Sequence, residues 1–199
     1  MAGGSVVLVD AGGTNIGSVR YALHRLGVEA PLTADPDAIR AAARVILPGV
    51  GAAAPAMARL RELGLIELLR GLTQPVLGVC LGMQLLCAHS EEGGVDCLGL
   101  IPATVRRMTP APGLRVPHMG WNRLRAFKTH PLLEGIAQDA QAYFVHSYAV
   151  PTGDYTLASV EHGQPFSAVI THGNFFGMQF HPERSAAVGA RLLHNFLAL

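Results

Sequence analysis

The segment Gly78-Val-Cys-Leu-Gly82 is the strongest constraint that the sequence places on its own fold. It lies where the apolar run Pro75-Val-Leu-Gly-Val79 gives way to a helical pattern from Met83 to Ala88. Its two glycines stand at the positions a sharp strand-to-helix turn requires, so the segment reads as a nucleophile elbow with Cys in place of Ser. An elbow of this kind holds the Cys80 sulfur at the start of a helix, whose dipole favours thiolate, with backbone N–H groups beside it that can receive an oxyanion. The thiolate, not the thiol, attacks carbonyls. The alternative reading is one more small buried cysteine, the usual state of a free thiol. Flanking glycines after an apolar strand favour the nucleophile.

The rest of the first half repeats this grammar. Val6-Val-Leu-Val-Asp10 reads as a buried strand, followed by a Gly12-Gly13 turn and an amphipathic stretch from Ile16 to Leu26. Arg44-Val-Ile-Leu-Pro48 is a further apolar run, and Ala56 to Leu69 follows it with Leu60, Leu63 and Leu68 at roughly helical spacing. Such alternation specifies an α/β fold with an open, mostly parallel, flavodoxin-like sheet flanked by helices. Beyond Ile101 the texture changes. Thr104 to Met108, Tyr143 to Val145, Tyr155 to Val160 and Ser167 to Ile170 read as shorter strands, partly antiparallel, that extend the same sheet. Ala186 to Leu199 closes the chain as an amphipathic helix carrying Val188, Leu192, Leu193 and Phe196 on one side. With 199 residues, half of them apolar, and no visible boundary or repeat, one domain spanning 1–199 is expected.

Charge and cysteine usage exclude several classes of function. Fifteen Lys plus Arg against fourteen Asp plus Glu leave a formal charge of +1, no field for gripping nucleic acid or anionic lipid. No basic leader and no run near the roughly 18 apolar residues of a spanning helix is present, so a cytoplasmic protein away from membranes is expected. Cys80, Cys87 and Cys97 form an odd set without zinc-ligand pairing, which favours neither a disulfide scaffold nor a metal site. Cys87 reads as core on the elbow helix, and nothing marks Cys97.

A thiol nucleophile needs an imidazole to manage protons, and nine histidines are available. His181, in His181-Pro-Glu183 after the apolar segment Phe175 to Phe180, has an acid placed to orient it, because residues i and i+2 of an extended segment project to the same side. Cys80, His181 and Glu183 would then form a triad. Taken alone, His181 could equally be a strand-end histidine beside a surface glutamate. His118 and His146 lie in distinctive segments, but neither has a carboxylate within three residues. His162 and His172 read as surface positions of a hairpin, and two histidines make a poor metal site.

These residues carry a resemblance. Gly78-Val-Cys-Leu-Gly-Met-Gln84 with Phe180-His-Pro-Glu183 resembles the class I, triad-type glutamine amidotransferases, and Pro48-Gly-Val-Gly51 is similar to their oxyanion loop. Pro117-His-Met-Gly-Trp-Asn122, Tyr143-Phe-Val-His-Ser-Tyr148 and Gln179-Phe-His-Pro-Glu-Arg-Ser185 narrow the resemblance, over nearly the whole chain, to the glutaminase subunits of imidazole glycerol phosphate synthases of histidine biosynthesis. The resemblance implies that Cys80 attacks the glutamine carboxamide while Leu81 and the Val50–Gly51 segment supply oxyanion N–H groups. It implies substrate contacts from Gly49, Gly51, Gln84, Ser147 and Tyr148. No metal and no cofactor is implied. The implied partner is a cyclase subunit of (β/α)₈-barrel fold in a heterodimer, which takes ammonia through an internal channel. The cyclase makes imidazole glycerol phosphate and an aminoimidazole carboxamide ribonucleotide. Asn15, Met119, Trp121, Asn122 and Arg184 match interface positions. The sole Trp also suits an interface independently, since exposed aromatics concentrate binding energy; its alternative is a capped core Trp.

Some segments depart from the family. Asp10-Ala-Gly-Gly-Thr-Asn15 differs from its usual opening, Ala52-Ala-Ala-Pro55 replaces an aromatic, and Arg184 stands where Lys is frequent. Asp10 to Asn15 also resembles the phosphate loop of actin-like sugar kinases, but those are considerably longer and carry a second loop. A glutaminase serving a pyridoxal phosphate, anthranilate or GMP synthase would share the triad, and Pro117 to Asn122 is what discriminates. A reactive-thiol sensor of flavodoxin-like fold would need neither Gln84 nor Glu183.

Overall fold

The computed structural model describes residues 4–12, 16–125 and 128–199. In chain order the elements are β1 (Val6–Val9), α1 (Ile16–Arg25), β2 (Leu32–Thr33), α2 (Pro36–Ala41), β3 (Arg44–Gly49), α3 (Ala53–Glu62), α4 (Ile66–Arg70), β4 (Val76–Cys80) and α5 (Leu81–Leu86). The second half comprises β5 (Cys87–Ser90), β6 (Val95–Asp96), β7 (Ile101–Arg107), β8 (His118–Arg123), β9 (Gln141–His146), β10 (Tyr148–Ala149), β11 (Thr156–His162), β12 (Gln164–His172), β13 (Phe175–Met178) and α6 (Ala186–Ala198).

The main sheet has the order β11-β12-β13-β4-β3-β1-β2. Its β2-β1-β3-β4-β13 portion is parallel, and β12 and β11 continue it as an antiparallel meander. This is the doubly wound arrangement, with an antiparallel extension, that the alternating pattern specifies. Successive residues of a strand face opposite sides, and the core divides accordingly. Val6, Leu8, Ile46 and Leu77 pack with Leu23, Leu192 and Phe196 beneath α1 and α6. Val7, Val9, Val45 and Leu47 pack with Ile39, Met57, Leu60 and Leu69 beneath α2, α3 and α4. With helices on both faces, strands β1 and β4 are buried throughout, which is why they read as unbroken apolar runs. Among the described residues no helix is long and apolar enough to cross a membrane.

Four sequence expectations need correction. Of the second-half strands expected to extend the main sheet, those at 155–160 and 167–170 do so as β11 and β12, whereas Thr104 to Met108 falls on β7 of a separate four-stranded sheet and Tyr143 to Val145 on β9, which pairs antiparallel with β8. The helix expected from Met83 to Ala88 stops at Leu86, and Cys87 opens β5, paired with β7 and β6 in a four-stranded sheet. Those neighbours satisfy the backbone of 87–90, and tertiary pairing overrides a weak helical pattern. Cys87 is nonetheless core, as expected, and burial followed by the nearby Cys97 pushes its thiol well above the usual range. The helical stretch from Ala56 to Leu69 is two helices, separated at Gly64, whose φ of +67° ends the first. His162 is half-buried, stacked on the His118 ring at 4.1 Å, so only His172 is the surface residue expected.

Candidate active site

The carboxyl ends of β3 and β4 meet where Gly49 pairs with Cys80, and β13 runs alongside β4 with Met178 opposite Val79. The segment leaving β13 therefore passes beside the residue that ends β4. In open parallel sheets this edge is where ligands bind.

Cys80 closes β4 with φ 54° and ψ −110°, a strained conformation for a residue with a side chain. Close packing enforces it. A Cβ on Gly78 would stand 2.5 Å from the Gly82 carbonyl oxygen, and one on Gly82 would collide with the Leu47 carbonyl of β3. Only a chain without side chains at both positions can fold α5 back onto β4 and β3 so tightly. The sulfur consequently projects from the sheet edge, and the Leu81 N–H lies in the first turn of α5, where no preceding carbonyl can accept it.

His181 is fixed by its backbone. Its N–H donates to the Tyr143 carbonyl at 3.0 Å, and its carbonyl accepts from the Ser185 hydroxyl at 2.7 Å. Ser185 Oγ in turn accepts from the Tyr143 N–H at 2.9 Å, tying β9 to the start of α6. The ring presents Nδ1 to Glu183 Oε1 at 3.0 Å and lines the same cleft as Cys80. Burial alone would lower its proton affinity; the neighbouring Cys80 and Glu183 side chains outweigh it and push the imidazole up to about 10. At neutral pH His181 is therefore an imidazolium. Among the described residues Oε2 of Glu183 has no hydrogen-bond partner; it is buried beside a small cavity lined by Val19, Pro48, Gly49 and Val79.

In front of the sulfur lies a cleft of about 310 Å³. Val50, Gly51, Leu81, Gln84, Ser147, Tyr148 and His181 all line it, so the expected oxyanion residues and four of the five expected substrate contacts come together around Cys80. Gly49 does not; it faces the small cavity behind the cleft. Gly51 has φ +99° with open space around it, so its backbone, not crowding, calls for glycine.

Of the expected interface residues, Asn15 lies outside the described residues. Met119 and Trp121 are 63% and 52% exposed on β8, so Trp121 is no core residue. Its ring meets Tyr143 edge-on at 5.8 Å, and the Arg184 guanidinium stands 4.3 Å over the Tyr143 ring. Arg184 also lines the cleft, so this stack connects the cleft to the exposed strand. Asn122 is half-buried, and its amide Nδ2 reaches the Glu161 carbonyl and the His118 ring.

Sequence reasoning missed three residues at the site. Glu92 lines the cleft while one of its oxygens accepts the Ala53 N–H at 3.0 Å, capping α3, whose own N-cap, Ala52, has no side-chain acceptor. Nothing near Glu92 in the sequence announces this. His146 lines the opposite wall, and Gln179 is buried against the sulfur. His146 donates from Nδ1 to the Tyr148 carbonyl at 2.8 Å and accepts at Nε2 from His118 Nδ1 at 3.1 Å. Burial, with repulsion from His162, holds His118 down at about 4. Burial, only partly opposed by the bond to Tyr148, holds His146 down at about 3. Both rings are neutral at physiological pH.

A nucleophile, an imidazolium held by a buried carboxylate, and backbone donors around a cleft of small-molecule size can cleave an acyl bond by covalent catalysis. Comparison with known proteins agrees. The family described as Glutamine amidotransferase class-I matches residues 7–199. Imidazole glycerol phosphate synthase subunit HisH of Xylella fastidiosa is 60% identical over 194 residues, 98% of this chain and 97% of the relative. The protein of the same name from Xanthomonas oryzae pv. oryzae is 59% identical over the same span and shares. A solved glutamine amidotransferase superposes with a TM-score of 0.76 at 22% identity, covering 98% of both chains. The structure of PurLQS from Thermotoga maritima superposes at 0.70 and 17% identity, again covering 98% of both chains; both likenesses concern the fold. By its family profile, its full-length relatives and the architecture that carries Cys80, this chain belongs to the class-I glutamine amidotransferase family.

Proposed function

We propose that this chain is the glutaminase subunit of an imidazole glycerol phosphate synthase, with Cys80 as nucleophile, His181 as acid and base, and Glu183 as the group that holds His181. The observation that carries the proposal is that Cys80 and His181 line one cleft with backbone donors on its rim, while Glu183, buried behind it, holds the His181 ring at 3.0 Å. Relatives about 60% identical over 98% of the chain bear that subunit's name, and this selects the pathway.

In this reading the Cys80 sulfur forms a bond to the carboxamide carbon of glutamine, and the carbonyl oxygen becomes an oxyanion held by the Leu81 N–H and an N–H of the Val50–Gly51 segment. His181 gives its proton to the nitrogen, the C–N bond breaks, and ammonia leaves a thioester on Cys80. The now neutral His181 takes a proton from water, which attacks the thioester and releases glutamate and the thiolate. Glutamine and water become glutamate and ammonia, and His181 recovers its proton.

Ammonia is useful to a synthase only as the unprotonated base, so it must reach its acceptor without crossing bulk water. The exposed Met119 and Trp121, stacked toward the cleft through Tyr143 and Arg184, suit the docking face of a (β/α)₈-barrel cyclase in a heterodimer. Two glycines in Gly49-Val-Gly51 suit a loop whose peptide orientation responds to docking.

The test is glutamate release by the chain mixed with a barrel-type cyclase and its phosphoribulosyl aminoimidazole-carboxamide ribonucleotide. Release that requires the cyclase and is lost in Cys80→Ser supports the proposal. Equal release with and without cyclase and ribonucleotide contradicts the coupling, and release by Cys80→Ser contradicts the nucleophile.

A further inference from the structure

Gln179 follows β13 by one residue, is fully buried, and places its amide Nε2 3.8 Å from the Cys80 sulfur. The strand register puts it there: with Met178 opposite Val79 in the parallel pair β13 and β4, the next residue falls beside Cys80. A buried glutamine amide can turn either its oxygen or its NH₂ toward a neighbour. The surroundings of Gln179 allow one arrangement.

The Tyr148 carbonyl can only accept. Gln84 must therefore turn its NH₂ toward that oxygen, and Nε2 stands 3.0 Å from it. The same Nε2 lies 2.9 Å from Gln179, so Gln179 must present Oε1 on that side. Its NH₂ then points at Cys80. Tyr148 is itself held, because its carbonyl also accepts from His146, whose ring is locked in one tautomer by His118 behind it. A backbone carbonyl two steps away thus dictates that the group facing the sulfur is a donor. A donor strengthens its interaction when the sulfur becomes charged, whereas an amide oxygen in its place would oppose the charge.

We infer that Gln179 is a catalytic residue of this site, a neutral N–H donor that stabilises the Cys80 thiolate, and that Gln84 uses its NH₂ to hold it. The inference rests on the reading of Cys80 as the nucleophile. It also narrows the part that Gln84 plays toward substrate: with both amide hydrogens engaged inside the protein, only its oxygen remains to accept from the ammonium of glutamine.

The experiment is the rate of Cys80 alkylation by iodoacetamide in the full chain as a function of pH, read on the Cys80 peptide by mass spectrometry, for wild type, Gln179→Met and Gln179→Glu. Met keeps the volume and removes the donor. Glu still accepts from Gln84 but offers the sulfur a negative oxygen. The titratable groups that face the sulfur or line its cleft, His181, His146, Tyr148, Glu92 and Arg184, are the same in all three proteins. Cys87 and Cys97 are core residues whose thiols burial pushes up, and they are read on separate peptides.

At neutral pH Gln179→Met is expected to alkylate about tenfold more slowly than wild type, the effect of losing a hydrogen bond to a charged group. Its profile should be displaced to higher pH and reach the wild-type rate once the thiol is fully ionised. Gln179→Glu should be displaced further. A purely structural role would lower the plateau or the melting temperature without moving the profile. Profiles that coincide with wild type overturn the assignment, and Gln179→Met decides alone if the buried carboxylate prevents Gln179→Glu from folding. A failure of the underlying reading looks different: Cys80→Ser would then release glutamate at the wild-type rate, whatever the alkylation profiles show.

Discussion

His181 Nδ1 lies 3.0 Å from Glu183 Oε1, and the Glu183 side chain is 5% exposed. The spacing of two residues makes the pair possible, and the short 3-10 turn Pro182–Arg184 fixes it. A carboxylate so deeply buried beside an imidazole holds the ring in one orientation and favours its protonated state.

Glu183→Gln is expected to lower the rate of glutamine hydrolysis about 100-fold or more while leaving the fold intact. Protonation of departing ammonia requires the imidazolium, which wild type keeps up to about pH 10. Without the carboxylate the imidazolium is lost at lower pH, so the alkaline limb of the pH–rate profile should move down. Glutamate release measured across pH for both proteins checks the size and the direction.

The elbow glycines make a prediction about stability that separates two kinds of constraint. Gly82→Ala would drive a methyl into the Leu47 carbonyl and should cost about 3 kcal/mol or more, read as a fall in thermal midpoint. Gly51→Ala meets no atom within 4 Å but must hold φ +99°, so it should cost about 1–3 kcal/mol and act mainly on turnover. Calorimetry and glutamate release together distinguish the two.

His118 and His146 make stability fall in acid. Both are neutral when folded, held down at about 4 and about 3 against an ordinary value of 6.5. Above that ordinary value their contribution is fully present. As pH falls below it the unfolded chain binds protons that the folded protein refuses, and stability is lost toward the folded values, at up to about 1.4 kcal/mol per pH unit for each ring. Urea unfolding at several pH values between 4 and 7 should show this slope, and His118→Gln should remove about one proton from it.

Trp121→Ala is expected to leave the melting temperature of the isolated chain unchanged, because the ring is half exposed and touches Tyr143 only by its edge. If β8 is the docking face, affinity for the cyclase should fall by about 2 kcal/mol, roughly thirtyfold. Titration calorimetry on the pair reads the effect.

Much of the site is legible in the chain because its parts are local. The elbow is a five-residue pattern whose glycines answer to close packing, and His181 and Glu183 stand only two residues apart, although a short 3-10 turn, not the extended segment expected, is what brings them together. The remainder depends on register and on loops. Gln179 stands in the same motif as His181, yet only the pairing of β13 with β4 turns it toward sulfur. Glu92 reaches the cleft because the turn after β5 lies against the start of α3, a meeting of residues 39 apart in the chain. The end of α5 escapes a local reading for a similar reason, since β5 pairs with strands that lie further along, from Val95 on. His162 has no local signal of burial either; the meeting of β8 with the end of β11 is what stacks it on His118.

The central claim is that Cys80 attacks the side-chain carbonyl of glutamine in this cleft. The most direct measurement is to incubate the full chain, mixed with a barrel-type cyclase and its ribonucleotide, with a glutamine analogue carrying a diazoketone in place of the carboxamide, and then locate the modified residue by peptide mass spectrometry. One adduct is expected, on Cys80, formed faster than on any other thiol and suppressed by excess glutamine. An unmodified Cys80, or labelling that glutamine does not suppress, would contradict the claim.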